Sequence, residues 1–173
     1  MKATIETERM TLRRFTLSDA EAFLDLNSDP EVVRYAEKRV MQSMDEARDA
    51  LRTAPLSDYE KYGYGRFAII LKENGELIGF CGIKYLPELG LNELGYRLKK
   101  KYWGRGLATE AARATVDYAR DELCLDYVIA LIVEGNTASV GVAEKLGMRL
   151  NGMAHYMDLD AMKYELHLGD RKS

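Results

Sequence analysis

Residues 101–109 read Lys-Tyr-Trp-Gly-Arg-Gly-Leu-Ala-Thr, and this stretch decides the fold because it stands between a predicted strand and a predicted helix. Gly104 and Gly106 have no Cβ and can adopt positive φ, so several backbone N–H groups can converge on one anion. From Leu107 onward, small and apolar residues recur at helical spacing, and the first turn of such a helix also favours negative charge. The stretch therefore predicts a phosphate cradle, and an ordinary tight turn is the alternative.

The spacing of these glycines excludes two other phosphate-binding motifs. A Walker loop needs Gly-x4-Gly-Lys-Ser/Thr, and a dinucleotide fingerprint needs a third glycine near the position that Thr109 occupies. A nucleotide-binding protein that uses the same turn is therefore the weakest functional alternative.

A second segment, residues 136–148, follows an apolar strand and is predicted to form a short helix closed by Gly147. Lys101-x-x-Gly104-x-Gly106-x-Ala108, taken with Asn136-x-x-Ser139 to Leu146-Gly147-Met148, resembles the acetyl-CoA-binding core of the GCN5-related N-acetyltransferase (GNAT) superfamily. The motif pair thus gives the glycine turn a specific context.

The N-terminal part of the chain narrows the resemblance. Residues 6–15, 18–20 and 28–33 are similar to the opening of the ribosomal-protein N-terminal acetyltransferase (RimJ/RimL-like) branch. With Glu93-Leu94-Gly95-Tyr96, the resemblance runs through nearly the whole chain. It implies the GNAT fold, an α/β architecture with a central, mixed and mostly antiparallel twisted sheet of six to seven strands and helices on both faces.

The resemblance also implies acetyl-CoA as acetyl donor and assigns its binding site. Backbone groups of Tyr96 to Leu98 would pair with the pantetheine arm, amides around Gly104 to Thr109 would hold the pyrophosphate, and the side-chain amide of Asn136 would reach the pantetheine. On general grounds Asn136 is a turn residue or a helix cap. The predicted cofactor-binding residues are Tyr96, Arg97, Leu98, Lys101, Trp103, Gly104, Arg105, Gly106, Leu107, Ala108, Thr109, Asn136 and Ser139.

Two residues are candidates for catalysis. Glu93 opens a strand beside the ligand-bearing centre, where a carboxylate can accept a proton directly or through water, unless it is only a polar residue on a half-exposed strand. Many superfamily members carry a tyrosine acid at the position that aligns with Ala143, and alanine cannot donate a proton. Ser139 matches the serine of the RimJ/RimL-like branch and is the predicted partner of the leaving thiolate, although it could instead bond its own helix backbone.

The expected reaction is acetylation of a primary amine, either a protein or peptide N-terminus or a small amine. An α-amino group, with a pKa of about 7.7–8.0, is far more often neutral at pH 7 than a lysine near 10.4, so it demands less of a base. A non-catalytic acyl-CoA-binding module is the alternative, because of Ala143. Acceptor choice is expected to depend on residues 18–65. Tyrosines that could line the acceptor pocket, or simply pack, are Tyr35, Tyr59, Tyr62, Tyr64 and Tyr85.

Composition sets the remaining expectations. The 173 residues, 47% hydrophobic, fit one domain spanning 1–173, without an apolar run that could cross a membrane or a recognisable export signal, so a cytoplasmic protein is expected. Cys81 and Cys124 are expected to be buried thiols. His155 and His167 lack ligand-spaced partners, so no metal site is predicted. Relatives are often dimers, which leaves a homodimer open beside a monomer.

The net charge of −3 argues against a general nucleic-acid binder. A local basic cluster at the glycine turn is read either as a solvated strand end or as an attractor for the cofactor phosphates. Its members are Lys99, Lys100, Lys101 and Arg105.

Hydrophobic periodicity and turn residues predict the elements along the chain. A helix is expected after a Ser18 cap, another from Met44 to Thr53 after a Ser43 cap, and a polar loop from Pro55 to Gly65. The predicted strands are 9–14, 67–71, 77–85, 94–98, 127–133, 148–153 and 163–168, with an Asn-Gly hairpin turn at 74–75.

Overall fold

The computed structural model describes residues 4–169. Eight strands form one sheet: β1 (Thr4–Glu6), β2 (Met10–Arg14), β3 (Arg66–Leu71), β4 (Leu77–Leu86), β5 (Leu91–Leu98), β6 (Tyr127–Ile132), β7 (Arg149–Tyr156) and β8 (Leu159–His167). Six α-helices accompany them: α1 (Ala20–Asn27), α2 (Pro30–Val33), α3 (Met44–Leu51), α4 (Ser57–Tyr62), α5 (Leu107–Asp121) and α6 (Thr137–Lys145). Short 3₁₀ turns cover Leu17–Asp19 and Lys100–Tyr102.

The strand order in the sheet is β1-β2-β3-β4-β5-β6-β8-β7. Every neighbouring pair is antiparallel except β5 and β6, which run parallel. The mixed, mostly antiparallel sheet is therefore confirmed, but it has eight strands rather than the six to seven expected. The additional strand within residues 4–169 is the short β1, which pairs with β2 at one edge of the sheet.

Helices cover both faces of the sheet, as expected. On one face α5 packs its stripe of small and apolar residues, including Leu107, Ala111 and Ala119, against the larger core. On the other face α1 and α3 enclose a second core around Leu26, Leu51 and Phe80. The two cores anchor the elements that carry the site.

The segment between α3 and β3 differs from the prediction. Pro55 and the polar residues after it favour a loop, but the chain forms a π-helical turn at Arg52–Leu56 and then α4. Proline removes one backbone donor, and the wider π-helical turn accommodates that loss without ending the helix. Helix α3 correspondingly ends at Leu51 rather than Thr53, while its predicted cap is confirmed because the Ser43 hydroxyl accepts the Glu46 N–H at 3.2 Å.

Three smaller predictions were wrong. Ser18 lies inside the 3₁₀ turn, and the Asp19 carboxylate instead accepts the Thr16 N–H at 2.9 Å. Cys124 is exposed in the turn after α5, whereas Cys81 is buried as expected. Strand β7 continues to Tyr156 and β8 begins at Leu159, so the C-terminal hairpin is longer than the two predicted strands.

Candidate active site

Strands β5 and β6 separate in the middle of the sheet. They share one paired register, Glu93 with Ile129, and β5 continues for five more residues to Leu98 while hydrogen-bonding β4 on its other side. Because the two strands are parallel, their carboxyl ends lie at the same end of the opening. Helix α5 follows β5 and helix α6 follows β6, so both helices begin beside it. In open α/β sheets, ligands bind outside the carboxyl ends of parallel strands, and the mouth of this opening is such a place.

The glycine turn forms one side of this opening. Gly104 and Gly106 have φ of +73° and +76°, a conformation that favours glycine, and a Cβ on Gly104 would meet no atom within 4 Å. Within the described residues 4–169 no side chain caps the first turn of α5, so its leading amides face outward from the helix end. The residues expected to hold an anion are thus placed together, with space in front of them.

Arg9, which was not singled out from the sequence, fastens the glycine turn. Its Nη1 donates to the Arg105 carbonyl at 2.8 Å, and its Nε donates to Glu110 in the first turn of α5 at 2.7 Å. The adjoining groove, of about 500 Å³, also includes Arg113 and Lys145. Arg9 and its partners are about a hundred residues apart in the sequence. No local sequence pattern could therefore have identified this contact.

The basic cluster at the turn is paired with carboxylates rather than free. Lys99 and Lys101 lie 3.2 and 3.0 Å from the Glu76 carboxylate, and Tyr102 also donates to it. Burial alone would raise the pKa of Glu76, but these hydrogen bonds outweigh it and lower the pKa to about 2.

The two remaining cations of the cluster are paired too. Lys100 pairs with Glu31, and Arg105 lies 3.5 Å from Glu73. The cluster therefore offers little unpaired positive charge to an approaching anion.

Trp103 and Leu98 make a contact that bears on the expected pantetheine site. The indole Nε1 of Trp103 donates to the Leu98 carbonyl at 3.0 Å, while the indole is 46% exposed. The Leu98 carbonyl is therefore engaged in this structure. Of the other predicted residues, Leu107 is fully buried, so only its backbone could reach a ligand. The Arg97 side chain points to the α1–α3 face of the sheet, where it donates to Asn27.

Asn136 caps α6, as the general reading suggested. Its Oδ1 accepts the Ser139 N–H at 3.3 Å, and within residues 4–169 its side-chain nitrogen has no protein partner. The Ser139 hydroxyl in turn accepts a hydrogen bond from the Tyr96 hydroxyl at 3.1 Å. Burial raises the pKa of Tyr96 although the bond to Ser139 opposes this, so Tyr96 stays protonated at neutral pH. A pair of hydroxyl groups therefore links β5 to α6 beside the opening.

Glu93 lies at the last position that β5 shares with β6. Its side chain is 14% exposed, and Arg66 approaches its Oε2 to 3.8 Å, beyond hydrogen-bonding distance. Burial raises the pKa of Glu93, while Arg66 and Lys84 partly offset this. Glu93 is thus a buried carboxyl beside a cleft, rather than a half-exposed surface residue.

A cleft of about 660 Å³ lies on the α1–α3 face of the sheet. Its walls come from the segment 34–41, α1, α3, the π-helical turn, the cleft-facing ends of β3, β4 and β5, and the tip of the β7–β8 hairpin. Tyr35 is the one of the five candidate tyrosines that lines it. Tyr59 is instead a packing residue that accepts the Phe15 N–H at 3.1 Å, and burial raises its pKa to about 12. Most of its lining residues belong to residues 18–65, the part of the chain on which acceptor choice is expected to depend.

Among residues 4–169, no group of three or more His, Cys, Asp or Glu side chains is placed to hold a metal ion. In the same part of the chain, no helix combines the length and apolar character needed to cross a membrane.

Two parallel strands that separate, a glycine turn and two helix starts at the mouth of the opening, and a buried carboxyl beside a cleft together define an acyl-CoA-dependent transferase. The chain belongs to the GNAT acetyltransferase family, since the family model described as Acetyltransferase (GNAT) domain matches residues 9–149. It is an N-acetyltransferase that uses acetyl-CoA as the acetyl donor.

Known proteins resemble the chain over most of its length. It is 36% identical over 152 residues to the uncharacterized N-acetyltransferase p20 of Bacillus licheniformis, covering 87% of this chain and 84% of p20. An acetyltransferase from Agrobacterium tumefaciens strain C58 superposes with a TM-score of 0.83 at 30% identity, over 96% of this chain and 95% of that one. The ribosomal L7/L12 α-N-protein acetyltransferase RimL, solved with coenzyme A, shares the fold at 18% identity, with a TM-score of 0.80 over 95% and 97% of the two chains.

Proposed function

We propose that this acetyltransferase transfers the acetyl group directly to a primary amine bound in the cleft, either a protein or peptide N-terminal α-amino group or a small amine. The observation that carries the proposal is the place of Glu93, at the last shared pair of β5 and β6 and beside the cleft that Arg66 lines. A base at this point stands between the opening for the cofactor and the space for the acceptor.

Glu93 is proposed to take the proton that the attacking amine must lose. A carboxyl with a raised pKa is a better match to neutral pH than an ordinary glutamate, because a base works best when its pKa is near the operating pH. Bound acetyl-CoA supplies an activated acetyl thioester. The backbone of Tyr96 to Leu98 along β5, the amides of the glycine turn and the side-chain nitrogen of Asn136 are proposed to hold it.

The hydroxyl pair of Tyr96 and Ser139 is proposed to serve the leaving sulfur. Ser139 already accepts a hydrogen bond from Tyr96, so its own hydrogen is free to point toward a thiolate. Thiols have a pKa near 8.5, and a hydrogen bond is therefore sufficient help for departure. This accounts for activity despite Ala143.

Ala143 is buried and carries no hydroxyl, which favours the second candidate function, an acyl-CoA-binding module without turnover. Titration calorimetry with acetyl-CoA tests both candidates together, because absence of binding up to millimolar concentration contradicts each. Release of free thiol with a panel of peptides, amino acids, polyamines and aminoglycosides then separates them, since turnover with any acceptor rules out the binding module.

Glu93→Gln tests the base, with Glu88→Gln in the exposed β4–β5 turn as the matched control. We expect Glu93→Gln to lower kcat about a hundredfold or more, to leave acetyl-CoA binding intact, and to remove the fall in kcat/KM at acidic pH. A raised pKa in the folded state means that the ionised carboxylate destabilises the fold at neutral pH, so the variant should melt no lower than wild type. An unchanged pH–rate profile would show that Glu93 is not the base.

Three further features belong to the proposal. We propose that residues 1–173 act as a single domain, and that the protein works in the cytoplasm, where two free thiols stay reduced. A homodimer is proposed on the edge strand β7, where Leu150 and Met153 are 55% and 61% exposed. Sedimentation equilibrium tests the homodimer: the wild type should sediment as a dimer and Met153→Lys as a monomer.

A further inference from the structure

Arg66 is a largely buried cation of the cleft whose hydrogen-bonding capacity is left over. Its guanidinium makes no hydrogen bond within residues 4–169, and its Nε is buried without a partner. The nearest carboxylate is Glu93, at 3.8 Å. A buried donor without a partner costs free energy, so a guanidinium kept in this state calls for a function.

The sheet is built to hold Arg66 in this position. Arg66 opens β3 and pairs with Gly82 on β4, which pairs with Gly95 on β5. A Cβ on Gly95 would lie 2.8 Å from Nη2 of Arg66, so only glycine leaves room for the side chain to cross two strands toward Glu93. The guanidinium also lies over the Phe80 ring at 5.2 Å. Packing against Gly95 and Phe80 therefore directs it toward Glu93, which it approaches without a hydrogen bond.

The balance of charge in the cleft leaves Arg66 free for a ligand. Six cationic and four anionic side chains line the cleft. Three of the four carboxylates form close ion pairs with other cations of the cleft, and the fourth, Asp158, lies 3.9 Å from Lys38. Arg34 and Arg66 have no partner among these four, and the carboxylate nearest to Arg66 is Glu93, at 3.8 Å. Arg34 is exposed at the rim, where water solvates it, but Arg66 is only 28% exposed. The excess of positive charge is notable in a chain whose net charge is −3.

We propose that the acceptor is an amine that carries a carboxylate a few bonds from its nitrogen, and that Arg66 binds this carboxylate while the amine faces Glu93. The proposal rests on the proposed function and names its substrate class. The planar fork of arginine can bind a carboxylate through two parallel hydrogen bonds. Because Arg66 and Glu93 are neighbours, a zwitterionic acceptor can place its carboxylate on Arg66 and its ammonium group beside Glu93. Free α-amino acids have this chemistry, as do peptides with an acidic residue near the N-terminus.

The reaction balances with these two residues in their roles. The amine nitrogen forms the amide bond to the acetyl carbon as the thioester carbon–sulfur bond breaks. Of the three ammonium protons, one leaves to solvent through Glu93, one ends on the coenzyme A sulfur and one remains on the amide nitrogen. Arg66 takes no proton, and its carboxylate partner is unchanged by the transfer.

The test compares acceptors that differ in the carboxylate alone. Free amino acids are assayed against their amides, and C-terminally amidated Ala-Asp peptides against amidated Ala-Asn peptides, by thiol release at saturating acetyl-CoA. We expect kcat/KM for the carboxylate form to exceed that for the neutral form at least tenfold, in the free amino acids, in the peptides, or in both. The arm that shows the preference identifies the source of the carboxylate.

Arg66→Gln, Arg66→Lys and the control Arg48→Gln, on the outer surface of α3, then test the residue. In Arg66→Gln we expect the preference to fall to near unity through KM for the carboxylate form, with intermediate behaviour for lysine and no change for the control. Thermal melting and acetyl-CoA calorimetry establish that each variant is folded.

Equal use of acids and amides by the wild type would overturn the proposal, as would turnover with cationic polyamines alone. An equal loss for both forms in Arg66→Gln would make Arg66 structural. A wild-type chain that binds no acetyl-CoA overturns the proposed function itself, which distinguishes that failure from the loss of carboxylate preference alone.

Discussion

Three glycines allow backbone strain and cofactor binding to be separated. Gly90, Gly104 and Gly106 have φ of +65°, +73° and +76°. A Cβ would meet nothing within 4 Å at Gly90 and Gly104, and only the end of the Arg9 side chain, at 3.6 Å, at Gly106. Alanine at each position is therefore strained by its conformation and not by a clash. The positions differ in place, since Gly90 lies in the β4–β5 turn, at the end of β5 remote from the glycine turn.

The expected loss of stability follows from two opposing effects. A left-handed conformation costs an L-residue about 1–2 kcal/mol. Replacing glycine also reduces the freedom of the unfolded chain, which offsets about 0.4–1 kcal/mol. Each of the three alanine variants should therefore lose about 1 kcal/mol of unfolding free energy, which for a chain of this length lowers Tm by about 2–4 °C.

Cofactor binding should divide the same three variants. At Gly104 and Gly106 the added methyl would stand in front of the amides that are proposed to hold the pyrophosphate, so we expect the acetyl-CoA Kd from calorimetry to rise at least tenfold, about 1.4 kcal/mol. Gly90→Ala should bind acetyl-CoA like wild type. If Gly104→Ala binds acetyl-CoA with an unchanged Kd, or if Gly90→Ala weakens binding as much, the glycine turn is only a bend in the chain and does not bind the cofactor.

Three other variants test separate parts of the structure. Ser139→Ala and Tyr96→Phe should each lower kcat and change the KM for acetyl-CoA much less. If the two hydroxyls act as a unit, the kcat of the double variant should be no lower than that of the poorer single variant. Additive losses of kcat in steady-state kinetics would contradict this. Glu76→Gln should destabilise the fold at pH 7. Because the folded-state pKa is lowered to about 2, the stabilisation is present above the ordinary pKa near 4.5 and is lost as pH falls toward 2, so urea melts of variant and wild type should converge there. Phe67→Ala removes a core ring that is 1% exposed and should cost about 3–5 kcal/mol by urea unfolding, and a loss under 1 kcal/mol would show that the core collapses around the gap.

Features encoded by neighbouring residues could be predicted from the sequence. The glycines of the β3–β4 turn, of the glycine turn and of the end of α6 all adopt positive φ, as their positions predict. The β3–β4 turn is longer than a two-residue Asn-Gly turn, because the Gly75 N–H donates to the Leu71 carbonyl at 2.8 Å and Asn74 does not adopt positive φ. The β7–β8 turn shows the opposite case. Met157 and Asp158 adopt φ of +52° and +60°, and of the two only Asp158 is a residue type that tolerates this conformation. This single signal was not used, so both strands were predicted too short.

The cleft could be predicted only in outline, because its chemistry depends on residues brought together across strands. Arg66 lies near Glu93 only when β3, β4 and β5 are in register, and its path exists only because Gly82 and Gly95 face each other. A single sequence does not show that these residues are close in space, because their proximity depends on how the strands pair. The pairing of Lys99 and Lys101 with Glu76 was missed for the same reason. Because this carboxylate neutralises part of their charge, the basic cluster attracts an anion less strongly than the sequence suggests.

Strand β5 connects the donor and acceptor sides of the reaction through its alternation. Glu93 and Gly95 face the cleft, Tyr96 points to α6 on the other side, and the edge of the strand beyond Glu93 is left open by β6. A shift of one residue in the β4–β5 pairing would send the base to the wrong face and fill the path of Arg66. The β4–β5 pairing has eight consecutive pairs without a bulge, from Gly79–Leu98 to Leu86–Leu91. This pairing therefore positions Glu93 as well as stabilising the sheet. It fixes which side of the opening receives the amine, so the register of one hairpin determines the geometry of the whole site.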